Sequence, residues 1–175
     1  MKNMNRSRND PLWKQIEADL TSILGTGVTV FFPQAWSNQY LDWYKEIEAD
    51  SFRTDLTYSH EEIKDRLQKD EVLMMFILKD ERPEGLILGY RLEDTTEDIF
   101  YLDTIAIRQR GRGIGKLILK VLFNWARKMG YKLIQLDTEE ENETGIRLAY
   151  FYQQLGFRII NSDEENENIT MQLEL

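Results

Sequence analysis

From Leu12 to Leu24 the apolar residues Leu12, Ile16, Leu20, Ile23 and Leu24 recur at helical spacing, the signature of an amphipathic helix. Asp10 can accept from the unpaired N–H groups at its start, Pro11 fits the first helical position and Gly25 can end it. Val28, Val30 and Phe32 alternate, so 28–32 reads as a strand. Residues 35–49 place Trp36, Tyr40, Trp43, Tyr44 and Ile47 on one broad face, which predicts a second helix, and 50–58 reads as a loop. Ser59-His60-Glu61-Glu62 is a capping box opening a third helix to about Gln68. His60 belongs to this helix start and carries no chemistry.

Residues 72–78 form a continuous apolar run of the length of a strand buried on both faces. With 86–92 and 99–107 it predicts an antiparallel meander, turning at 80–85 and 93–98. The clearest helix is 113–129, with Ile114, Leu117, Ile118, Val121, Leu122 and Trp125 inward and Gly130 as its stop. A strand at 132–136, an acidic loop at 137–143, a helix at 144–155 and a hairpin of 157–160 with 169–173 complete the chain. The pattern predicts a single mixed α/β domain over residues 10–175, preceded by a flexible tail, 1–9. Its sheet has about seven strands flanked by helices, with an extra N-terminal helix of unassigned role. The unit 99–136 should pair its strands in parallel through a right-handed crossover.

Composition narrows the chemistry. There is no cysteine and one histidine. Disulfides, thiolate metal sites and a cysteine nucleophile are excluded, multi-histidine metal sites too, and a Ser-His-Asp arrangement is a poor fit. No bound metal is expected. The absence of cysteine is compatible with the cytoplasm, and no apolar run approaches the roughly 20 residues that span a bilayer. A net charge of −9 and a pI near 4.8 argue against nucleic acid as the partner and favour a cationic one by long-range attraction. The acidic runs 139–141 and 163–167 read as solvated loops, either of which can attract such a partner.

The segment Arg110-Gly111-Arg112-Gly113-Ile114-Gly115-Lys116 sits between a predicted strand and the 113–129 helix. Its glycines let backbone approach a ligand closely. A helix starting there points unpaired N–H groups and its positive dipole end outward, which suits a phosphate or pyrophosphate. Arg110, Arg112 and Lys116 add charge to the mouth. The glycine spacing is not that of a dinucleotide fold, and Leu117 stands where a Walker loop needs Ser or Thr.

Strand 99–107, this turn and the following helix resemble the acyl-CoA-binding motif of the GNAT N-acetyltransferase family, Gln/Arg-x-x-Gly-x-Gly/Ala, through Arg110-x-x-Gly113-x-Gly115. Downstream, Tyr152-Gln153-Gln154-Leu155-Gly156-Phe157 resembles the family's second signature, in the family's order and separation. The likeness covers roughly 72–175 and extends weakly to about 28. It implies acetyl-CoA as co-substrate, with its pyrophosphate held by Arg110, Gly111, Arg112, Gly113, Gly115 and Lys116, and its pantetheine arm along Ile105, Ala106 and Ile107. Two departures accompany it. Only Arg108 and Gln109 separate Ile107 from Arg110, which can displace the pantetheine contacts by two residues. Gly145 stands where many members have a coenzyme-contacting asparagine, so Asn142 is the substitute on offer.

The resemblance makes Tyr152 the catalytic residue, a phenol that donates a proton to the departing thiolate. The attacking amine must itself lose a proton. Asp103, a charge inside an otherwise apolar strand, is the first candidate base, with Glu93 and Asp137 as alternatives. The expected activity is transfer of acetyl from acetyl-CoA to a primary amine by direct attack in a ternary complex. The acceptor is a small molecule or peptide, and a homodimer through exposed strand edges is allowed. The alternative is a non-catalytic acyl-CoA-binding module. The aromatic segment Trp36, Tyr40, Trp43, Tyr44 and Phe52 reads either as core or as a wall of the acceptor site.

Overall fold

A computed structural model describes residues 4–5, 8–142 and 145–175. Helix α1 (Pro11–Leu24) starts on Asp10, whose carboxylate accepts the Leu12 N–H at 3.1 Å. Then follow β1 (Val28–Phe31), α2 (Asn38–Ser51), a 3₁₀ turn (Thr54–Leu56), α3 (His60–Leu67), the meander β2 (Leu73–Lys79), β3 (Arg82–Arg91) and β4 (Ile99–Ile107), and α4 (Ile114–Met129). The chain closes with β5 (Leu133–Thr138), α5 (Leu148–Gln154), β6 (Arg158–Asp163) and β7 (Asn168–Glu174). The seven strands form one sheet in the order β1-β2-β3-β4-β5-β7-β6. Only β4 and β5 run parallel, joined through α4 as the strand–helix–strand pattern predicts. Among the described residues no helix is long and apolar enough to cross a membrane.

Strand alternation divides the core. Leu73, Met75, Ile77, Ile87, Phe100 and Leu102 face one side, against α1, α4 and α5. Met74, Phe76, Leu86, Leu88 and Ala106 face the other, against α2 and α3. The aromatics of α2 and Trp36 just before it settle on this second side: Tyr44 is fully buried, and Trp36, Tyr40 and Trp43 pack around Phe76.

Two expected boundaries move for identifiable reasons, and a third falls on residues that are not described. The β2–β3 turn is two residues long, because Asp80 and Glu81 both take positive φ, the geometry that follows the sheet's twist. Helix α2 starts after Ser37, whose hydroxyl accepts the Tyr40 N–H, rather than at Ala35. The expected start of the last helix at Thr144 lies outside the described residues, and α5 runs only from Leu148.

The tail also departs from expectation at Asn5, which is 1% exposed. Its N–H reaches the Val72 carbonyl at 2.8 Å, its side-chain oxygen accepts the Met74 N–H at 2.8 Å, and its amide donates to the Pro33 carbonyl at 2.6 Å. β1 pairs only with Phe76–Lys79, so Asn5 occupies the β2 edge that β1 is too short to cover.

One irregularity positions the site. β3 pairs Leu88 with Thr104 but Gly89 with Leu102, so Asp103 is an extra residue bulged out of β4. A Cβ on Gly89 would lie 2.4 Å from Phe100 Cζ and 2.7 Å from the Tyr101 carbonyl oxygen. Only glycine lets β3 come this close to β4 beside the bulge. Gly89→Ala should lower stability by about 1–3 kcal/mol, read from denaturant unfolding; an unchanged midpoint would show that the strands can part at no cost.

Candidate active site

β4 and β5 hydrogen-bond only where Ile99–Tyr101 face Leu133–Gln135. Beyond that, β4 continues beside β3 to Ile107, while β5 continues beside β7 to Thr138. The two central strands therefore diverge from Leu102 onward. A bulge bends its strand and increases local twist, and this one lies at the point of divergence. Among the described residues the β4 edge holding Ile105, Ala106 and Ile107 has no strand partner on the β5 side, a set of backbone groups open to an extended ligand.

That open edge runs directly into the glycine-rich turn. Gly111 and Gly113 adopt left-handed φ of 77° and 74°, and Gly113 caps α4 without any side-chain hydrogen bond to its first turn. A Cβ placed on Gly111, Gly113 or Gly115 meets nothing within 4 Å, so among the described residues no neighbour crowds the turn where those side chains would lie. The first N–H groups of α4 have no acceptor inside the helix, the arrangement that favours anions.

The arginines of the turn are braces. Arg110 donates to the Ser51 carbonyl at the end of α2 at 2.6 Å. Arg112 donates to the Ile23 carbonyl at the end of α1 at 2.5 Å and to Gln109 at 3.1 Å. Arg108 pairs with Glu46 at 2.8 Å and Asp50 at 2.7 Å on α2. Arg110 and Arg112, bonded here to uncharged groups, keep their positive charge at the mouth, and among the described residues Lys116 is exposed and makes no hydrogen bond or ion pair. The N-terminal helix gains a structural role from these braces, because a carbonyl of its last turn holds Arg112.

The model of the acetyltransferase (GNAT) family matches residues 38–157. The chain belongs to the GNAT acetyltransferase family. Solved structures share its fold. A GNAT family acetyltransferase from Elizabethkingia anophelis with acetyl-CoA bound is 20% identical, with TM-score 0.61 over 86% of this chain and 99% of that one. The ribosomal-protein-S18-alanine N-acetyltransferase from Escherichia coli is 16% identical, with TM-score 0.64 over 84% and 93%. The PaiA N-acetyltransferase from Thermoplasma acidophilum in complex with coenzyme A is 17% identical, with TM-score 0.59 over 85% and 99%. No curated protein sequence matches the chain.

Within this GNAT domain Tyr152 lies on α5, 9% exposed, between the rings of Phe151 and Phe157. Burial pushes its phenol up to about 12. It therefore keeps its proton at neutral pH. Asn142 is drawn into a turn: its side-chain oxygen accepts the Ile146 N–H at 2.8 Å, and its own N–H reaches the Ile146 carbonyl at 2.9 Å.

The three candidate carboxylates differ sharply. Glu93 lies just past β3, at the opposite end of β4 from the glycine turn, paired with Lys69 at 3.1 Å. Asp137 is exposed on the diverging part of β5 and accepts from the Tyr101 hydroxyl at 2.8 Å, a bond that joins β4 to β5 where they part. Thr170 also donates to it, at 2.5 Å. Asp103 has a side chain only 2% exposed and takes four donors: Tyr58 Oη at 2.9 Å, Arg66 Nε at 3.0 Å, Tyr90 Oη at 2.7 Å and Thr104 Oγ1 at 3.0 Å. It sits in a closed cluster, its carboxylate occupied by these four donors.

That cluster is the part of the site that sequence patterns missed. Arg66 stacks over the Tyr58 ring at 3.6 Å from its centroid. The Tyr58 phenol is pushed up to about 12, first by burial and then by the Asp103 charge. Tyr90 is raised further from the same two causes. These phenols remain donors at any physiological pH. Gly113→Ala should strain the left-handed turn by about 1–2 kcal/mol. It should weaken coenzyme A binding about tenfold and lower the melting temperature by only a few degrees; unchanged affinity by calorimetry would remove the turn from the binding site.

Proposed function

We propose that this GNAT protein transfers an acetyl group from acetyl-CoA to a primary amine by direct attack. One observation carries the reading: the partnerless edge of β4 leads without interruption into the uncapped start of α4. A ligand with an anionic head and an extended amide-containing arm matches both halves. Backbone N–H groups of Gly113, Ile114, Gly115 and Lys116 receive the pyrophosphate, with the Lys116 ammonium beside them. Arg110, Gly111 and Arg112 shape the turn, and Ile105, Ala106 and Ile107 receive the pantetheine arm. Because this backbone is braced by Arg108, Arg110 and Arg112, little ordering entropy remains to be lost on binding.

The chemistry needs two proton movements. The amine nitrogen attacks the thioester carbon and loses a proton; the carbon–sulfur bond breaks and the sulfur gains one. Tyr152, held protonated by burial, is the donor toward sulfur. For the amine we favour Asp137 over Asp103, since Asp137 is exposed beside the strand divergence and Asp103 is closed over by four donors. The protein's net charge of −9 favours a cationic acceptor. An amine acceptor is also in keeping with the E. coli structural neighbour, which its name describes as acting on a ribosomal-protein alanine.

A second reading is a non-catalytic acyl-CoA-binding module. It draws on Gly145, where the family resemblance leads one to expect asparagine, and on the engagement of Asn142 in its own turn. Steady-state kinetics over an amine panel separate the two. Tyr152→Phe should lower kcat about 100-fold with the acetyl-CoA KM little changed. Asp137→Asn should lose activity chiefly at low pH, its deficit shrinking once the amine deprotonates by itself. Tight coenzyme binding without turnover on any amine would favour the module, and Tyr152→Phe at full rate would remove the phenol from the mechanism.

A further inference from the structure

The bulge in β4 has a dedicated anchor. In a regular strand Asp103 and Thr104 would point to opposite faces. Here both point toward α2 and α3. Thr104 pairs with Leu88 on that face and bonds the Tyr44 hydroxyl at 3.1 Å. Asp103 bonds Tyr58 and Arg66 from that layer and Tyr90 from β3. The anchoring groups are themselves held: buried Glu48 accepts the Tyr58 N–H at 2.8 Å and the Lys45 ammonium at 2.9 Å.

Losing the bulge would bring Asp103 into the ladder and turn every later side chain of β4 to the other face. Ile105 and Ile107 would leave the α4 side, and the free edge would meet a ligand in the wrong phase. We propose that Asp103 is a positioning residue, whose buried carboxylate, gripped by Tyr58, Arg66, Tyr90 and Thr104, holds the β4 bulge and so sets the phase of the strand edge that receives the pantetheine arm of acetyl-CoA. This rests on the coenzyme reading above. The glycine turn that receives the diphosphate is braced independently by Arg108, Arg110 and Arg112, so the two halves of the ligand should respond differently to loss of the anchor.

The test compares two ligands by calorimetry: coenzyme A, and adenosine 3′-phosphate 5′-diphosphate, which is the coenzyme cut short before its pantetheine arm. Asp103→Asn places an amide N–H₂ against donors. It should weaken coenzyme A about tenfold, as loss of one charged hydrogen bond implies, and leave the nucleotide fragment within about twofold. Tyr58→Phe removes one donor while keeping the charge, and should shift the same ratio in the same direction by less; it carries the test if Asp103→Asn does not fold. An unchanged ratio of the two affinities in these variants, whether both ligands weaken or neither does, overturns the proposal. Wild-type protein that binds neither ligand overturns the coenzyme reading itself.

Discussion

Backbone N–H and C=O groups along a strand must find partners, and beyond Leu102 the strand β4 finds them, among the described residues, in a neighbouring strand on one side only. Most of the site's character follows from that constraint. A sheet interior normally satisfies both edges of a central strand. Here one inserted residue turns β4 away from β5, and the divergence creates an edge in the middle of the sheet without exposing it at the rim. The core survives because Phe100, Leu102 and Ile134 remain buried below the point of divergence. The opening thus lies above packed hydrophobic layers.

The loop that follows β4 uses charge in an economical way. An acidic protein gains little from crowding arginines around an anion if each is free to wander. Arg108, Arg110 and Arg112 are instead tied to α2 and α1 through carboxylates and carbonyls. Exposed pairs of this kind contribute at most about 1 kcal/mol each to stability. Their effect is geometric: they fix the left-handed turn that leads into the first N–H groups of α4. Placing the positive potential on fixed backbone leaves the side-chain charges to do the positioning.

Much of this architecture was legible in the residues. Helical spacing located α1, α2 and α4, the capping box at Ser59 located α3, and the apolar run at 72–78 and the alternating strands located the meander. The paired signatures around Gly113 and Tyr152 led to the family. What escaped were features without local periodicity. Asp103 looked like a lone strand carboxylate because alternation assumes a regular ladder, and a bulge is a property of two strands together. Its partners Tyr58 and Arg66 come from a segment read as loop and from a helix read only for its cap. Asn5 looked like tail because a side chain imitating a strand leaves no repeat. The turn read over 80–85 is shorter because Asp80 and Glu81 alone reverse the chain, with positive φ that no spacing rule marks.

The central claim is that one continuous surface, from the open edge of β4 to the start of α4, receives the acyl coenzyme. Amide chemical-shift mapping of the labelled protein during titration with acetyl-CoA tests it most directly. The account predicts that the largest perturbations fall on the amides of Ile105, Ala106 and Ile107 together with those of Gly113, Ile114, Gly115 and Lys116. Perturbations confined to another surface, or restricted to the glycine turn with β4 silent, would contradict it.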